Sequence, residues 1–144
     1  MSQTDDRRPD DPTATDESTY REYVLDVRIV ERETASGDTG YRFEGPHHGG
    51  AEFESPEAAE LYADVYFDVN GFEEDGVGPR GVPPAIIQAG RDTLVAYFRT
   101  QEYADELWIA SYYGVTPERV ERYVERVRKR ARKIREGAAE RGLT

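Results

Sequence analysis

The chain contains no cysteine, which excludes disulfides, thiolate metal sites and thiol nucleophiles from its chemistry. Histidine is almost as scarce: only His47 and His48 are present, and they adjoin. Adjacent residues of an extended chain point apart, whereas zinc needs three or four converging ligands. The pair therefore reads as a surface turn, and no metal or other cofactor is expected. No run approaches the ~18 apolar residues of a membrane-spanning helix. The first residues, MSQTDDRRPDDPTATDEST, lack the apolar segment of a secretory signal, so a cytoplasmic protein without a membrane partner is expected. Lysine, too, is nearly missing, for Lys129 and Lys133 are the only lysines among 19 basic residues.

What is present is acid, arginine and tyrosine. Thirty acids outweigh the bases, for a net charge of −11, while ten Tyr, five Phe and one Trp supply bulky core material. A chain of 144 residues with 37 % hydrophobic content can bury one modest core. Acid excess with arginine in place of lysine resembles the proteins of salt-loving archaea, in which an acidic surface favours solubility in concentrated salt. The charge is unevenly spread. Ten bases and five acids lie between Pro117 and Thr144, a net of +5 that leaves −16 on the remainder. A basic segment on an acidic body points to a directed nucleic-acid surface.

Hydrophobic periodicity organises the chain. Residues 1–19 are polar and acidic and read as a disordered tail. Tyr23, Leu25, Val27 and Ile29 alternate with their neighbours and predict a strand running to Val30. Tyr41–Glu44 and Ala51–Glu54 alternate likewise after two turns, giving a three-stranded antiparallel meander. Ser55-Pro56-Glu57 starts a helix, because the hydroxyl caps, proline suits the first helical position and the acid meets the positive dipole end. Asn70-Gly71 ends it. Residues 20–70 thus form a βββα unit, and residues 71–84 a Gly- and Pro-rich loop. A helical unit follows over 85–141, beginning with a helix around Ala85–Phe98 that Gly90 weakens locally. The expected class is α+β: a three-stranded sheet plus helix, then three helices. Gly76, Gly78 and Gly81 fit G-x-G-x-x-G literally. Glu73-Glu74-Asp75 before them and Pro79 within them deny the strand and helix that a dinucleotide site requires. Ser36, Ser55 and Ser111 each have a turn, cap or helix role, and no enzyme is expected.

The strongest local pattern runs Trp108-Ile109-Ala110-Ser111-Tyr112-Tyr113-Gly114-Val115-Thr116-Pro117-Glu118-Arg119-Val120. It resembles helix-turn-helix DNA-binding proteins, particularly the tri-helical domain that ends bacterial sigma factors. The resemblance covers about fifteen residues, or thirty with the preceding helix, and departs from the pattern at Tyr123, where a smaller aliphatic is usual, and at Glu118 and Glu121, which put acids on the face expected to meet DNA. Each position has a mechanical reason. Ala110 is small where two helices cross, and Gly114 takes the left-handed turn. Thr116 caps the second helix, Pro117 opens it, and Val115 and Val120 bury against Ile109.

Pro117–Ala139 reads as one helix of about 34 Å at ~1.5 Å per residue. On it Arg119, Arg122, Arg126, Lys129, Arg130 and Lys133 lie off the apolar positions and, with Thr116, are the expected contacts to double-stranded DNA. Val120, Val124, Val127, Ala131, Ile134 and Ala138 recur at alternating fours and threes, a seam that predicts a partner helix and hence a homodimer. The function these features imply is that of a small DNA-binding transcriptional regulator or plasmid or viral replication accessory factor. A protein–protein adaptor pairing through the seam, with no DNA contact, is the alternative. On the adaptor reading the charges are a solvated face held by Glu118–Arg122 and Glu125–Lys129 pairs.

Overall fold

The computed structural model describes residues 17–46, 48, 50–72 and 82–142. Its elements are β1 (Ser18–Glu22), β2 (Arg28–Glu33), β3 (Thr39–Glu44), β4 (Ala51–Phe53), α1 (Pro56–Asp68), α2 (Pro84–Ala89), α3 (Arg91–Arg99), α4 (Glu106–Tyr113) and α5 (Pro117–Glu140). The class is α+β, and the sheet is antiparallel in the order β1-β2-β3-β4. It has four strands rather than three.

The additional strand comes from a turn hidden in an apolar run. Leu25 and Asp26 both hold positive φ, 63° and 61°, and the Tyr23 N–H donates to the Val27 carbonyl at 2.8 Å. Two successive left-handed residues make the hairpin turn whose twist matches that of its strands, a place normally taken by Asn or Gly. The stretch from Tyr23 to Val30 is therefore not one strand. Its alternation arises because Tyr23, Val27 and Ile29 pack on the core from both sides of the turn. β1 consequently takes in Ser18 and Thr19, which had read as tail; residues 1–16 lie outside the described residues.

A second difference follows at Gly90. Its backbone, at φ 120° and ψ 173°, breaks the expected helix into α2 and α3, so four helices follow the loop instead of three. Of that loop, 73–81, which carry the G-x-G-x-x-G match, lie outside the described residues, as does His47.

α1 is the central beam. Ser55 accepts from the Ala58 N–H at 3.1 Å and Pro56 opens the first turn, as the local sequence predicts. Its buried positions (Ala59, Leu61, Tyr62, Ala63, Val65, Phe67) lie around most of the helix because the sheet covers one side while α3 and α5 cover another. One contiguous core runs from Ile29 and Phe43, paired across β2 and β3, to Val120 and Val127 in α5. His48 stands in the turn between β3 and β4, its N–H donating to the Gly45 carbonyl at 3.2 Å, but its half-buried ring packs on this core. Its Nδ1 accepts from the Gly50 N–H at 3.0 Å, its Nε2 lies 2.7 Å from the Tyr62 hydroxyl, and Phe43, Tyr66 and Phe72 surround the ring.

The expected dimer seam is also internal. Val120, Val124, Val127 and Ala131 are 0–1 % exposed and Ala138 is buried, all packed within the chain, with Ile134 half-buried against the same core. Their 3.5-residue period is real, but α1, α3 and α4 of the same chain occupy that face. A homodimer through Val120, Val124, Val127, Ala131 and Ile134 would require this core to open. No helix among the described residues is long and apolar enough to cross a membrane.

Candidate nucleic-acid interface

α4, a three-residue turn and α5 stand where the local sequence predicts a helix-turn-helix. Asp105 caps α4 by accepting from the Trp108 N–H at 2.8 Å. Gly114 then adopts φ 66° and ψ 37°, and the Val115 N–H returns to the Ala110 carbonyl at 2.9 Å. This six-residue closure around a left-handed glycine satisfies the last carbonyls of α4 and reverses the chain within three residues. Thr116 accepts from the Arg119 N–H at 3.2 Å, and Pro117 starts α5. Ile109, Ala110 and Val120 are buried where the helices meet, and Val115 is half-buried beside them.

This turn sets which face of α5 looks outward. Arg119, Arg122, Arg126, Lys129 and Lys133 are all exposed, and their spacing of three, four, three and four aligns them in one stripe. The stripe is about 21 Å long at ~1.5 Å per residue. None of the five forms an ion pair among the described residues. Arg126 lies over the Tyr123 ring, 5.6 Å from its centroid, while Arg119 and then Arg91 reach the Tyr123 hydroxyl and hold its pKa below the ordinary value. Tyr123, bulkier than the motif prefers, thus buries its ring and gathers Arg119 and Arg126 about it. A shallow depression of about 330 Å³ runs beside Arg122, Arg126 and Lys129.

Arg130 does not join this stripe. Its Nε and Nη2 donate to the two oxygens of Asp68 at 2.7 and 2.9 Å, and its Nη1 donates to Asp92 at 2.7 Å. The Thr93 hydroxyl completes the hub by donating to Asp68 at 2.6 Å. Lys129 and Arg130 are adjacent cations, but the ~100° step between them about α5 turns one to solvent and the other to α1 and α3. One turn further on, Arg135 donates to the buried Asp64 at 2.6 Å. Burial raises the Asp64 pKa and the Arg135 guanidinium opposes that rise. The anticipated Glu118–Arg122 and Glu125–Lys129 pairs do not form. Glu125 pairs instead with Arg128, one turn along, and Glu118 carries no ion pair among the described residues.

The sheet offers no comparable surface. Its arginines are paired with acids of the same face: Arg28 with Glu44 at 2.8 Å, Arg42 with Glu44 at 2.7 Å, and Arg32 with Glu52 at 3.2 Å. These contacts neutralise the cations that phosphates would need.

One exposed group escaped the sequence reading. Leu107, Trp108 and Tyr112 stand on the outer side of α4, and the Trp108 and Tyr112 rings stack with centroids 5.2 Å apart and planes 6° from parallel. Their four-residue spacing along α4 was the available signal. Near the start of the same helix, a hydrogen bond to Glu121 raises the Glu106 pKa above the usual carboxylate value.

No protein family, curated protein or solved structure matches the chain.

Proposed function

We propose that this protein is a small helix-turn-helix DNA-binding protein, a transcriptional regulator or replication accessory factor. The amino-terminal half of α5 enters the major groove, and Lys129 and Lys133 meet phosphates beyond it. One observation carries the reading: in a chain of net charge −11, five cations share one exposed stripe without carboxylate ion-pair partners among the described residues, directly after a tight turn between two helices. Elsewhere most arginines of the sheet and of the buried face of α5 are paired with acids.

The adaptor reading loses its seam to the protein's own core, although the exposed Trp108 and Tyr112 give it a different surface on α4. Fluorescence polarisation with a labelled random-sequence duplex separates the two. Five cations brought against the duplex, on phosphates or within the groove they flank, displace counterions, so log K falls with log salt at a slope of up to about −4.5, which is about 500-fold between 0.05 and 0.2 M. Replacing Arg119, Arg122 and Arg126 by Ala leaves two cations, a slope of about −1.8 and a loss of only about 12-fold over the same range. Unchanged affinity and slope in the triple variant reject the proposed face.

A further inference from the structure

The exposed face of α5 has an unusual vocabulary. From Glu118 to Lys133 every fully exposed residue is Glu, Arg or Lys. There is no Asn or Gln, whose amide pairs with both polar atoms of an adenine edge, and no exposed aliphatic or aromatic side chain to meet a thymine methyl. Arginine, by contrast, matches the two acceptors of guanine, and a carboxylate accepts from the amino group of cytosine. Both partners of a G·C pair are therefore provided for between Glu118 and Lys133, and an A·T pair is offered only the methyl of the capping Thr116 just before them.

The carboxylates are placed to take part. Glu118 lies one turn before Arg122 on the exposed side and forms no ion pair among the described residues. Glu125, one turn before Lys129, is exposed and accepts from Arg128 through Oε2. Acids within a phosphate-binding stripe weaken indiscriminate attraction, so they are costly unless they contact something other than phosphate. Glu118 to Arg126 spans about 12 Å of helix, enough for three to four base pairs at ~3.4 Å each.

We infer that α5 reads a short G·C-rich core in the major groove, with Arg122 and Arg126 on guanines and Glu118 on a cytosine amino group. This rests on the proposal that α5 is the DNA-reading helix. Two labelled duplex pools of equal length test it, one with a central block of randomised G·C pairs and one with randomised A·T pairs in the same flanks. The G·C pool is expected to bind at least tenfold more tightly at matched salt. Substituting 7-deazaguanine, which lacks the N7 acceptor, is expected to remove most of that preference.

Glu118→Gln removes the charge from an exposed position and keeps the shape. It is expected to narrow the preference at least threefold by weakening G·C binding relative to A·T. An equal rise in affinity for both pools would show that Glu118 merely repels phosphate and would overturn its assignment. Equal binding of the two pools by the unaltered protein, with a steep salt slope retained, overturns the G·C inference and leaves the DNA-binding proposal standing. Absence of binding to either pool overturns both.

Discussion

Replacing Arg130 by Met keeps the aliphatic stem in place while removing the cation from the junction of α1, α3 and α5. The Asp68 carboxylate, whose side chain is 4 % exposed, then loses both guanidinium hydrogen bonds and retains only the Thr93 hydroxyl among the partners described above. Breaking a fully buried ion pair costs about 3–5 kcal/mol. The Arg130 side chain is 43 % exposed, so solvent screening reduces the expected loss to about 2 kcal/mol. For a chain of this size, that lowers Tm by about 6 °C. Circular dichroism melts at fixed salt measure it, with Arg132→Met as an exposed control expected to stay within about 0.5 kcal/mol. The same Arg130 variant, assayed well below its melting point, is expected to keep the DNA salt slope of the unaltered protein. A normal Tm combined with a slope reduced by about one would place Arg130 on phosphate and refute the assignment of its guanidinium to the hub.

Further outcomes follow from the turn, the core and the acids. Gly114→Ala meets no atom within 4 Å, so its cost is the left-handed backbone alone, about 1 kcal/mol by chemical denaturation. Thr116→Ala removes the cap of α5 and is expected to cost a similar ~1 kcal/mol, with DNA affinity falling only as far as the helix start frays. Val127→Asp puts a carboxylate in a fully buried site and is expected to abolish cooperative folding. A folded monomer obtained from a dimer by that change would instead show the seam to be an interface, which light scattering would detect. The Arg28 and Arg42 contacts lower the Glu44 pKa, and Arg130 lowers that of Asp92, each against an opposing push from burial. Their contribution to stability is complete above the ordinary values of 4.5 and 3.8 and is lost as pH falls through the lower folded values. Asp64, raised by burial, acts in the opposite sense. Asp92→Asn is accordingly expected to flatten the acid limb of a stability–pH curve, and an unchanged limb would contradict the pairing.

Salt connects these tests to the composition. In molar salt the Debye length is ~3 Å, so long-range attraction between the stripe and DNA largely disappears. Recognition there depends on hydrogen bonds made at contact, which is the chemistry that Arg122, Arg126 and Glu118 offer. An acidic remainder of the chain is compatible with that mode, because at such distances it no longer repels the duplex.

Local signals were legible where a single residue type has a single mechanical use. Ser55-Pro56 and Thr116-Pro117 cap helices and Gly114 turns left-handed because each requirement is met within four residues of chain. The α+β class followed from the change of period from two to 3.6. The turn at Leu25-Asp26 stayed hidden because its residues lack turn chemistry, and only the packing of Tyr23 and Val27 on a common core holds it. Tertiary structure alone decided what covers the apolar face of α5, since a 3.5-residue seam looks the same whether α1 or a second chain lies against it. It also separated Lys129 from Arg130. A helix rotates 100° per residue, so charge is written in the sequence, but whether a charge faces solvent or Asp68 depends on where distant elements pack.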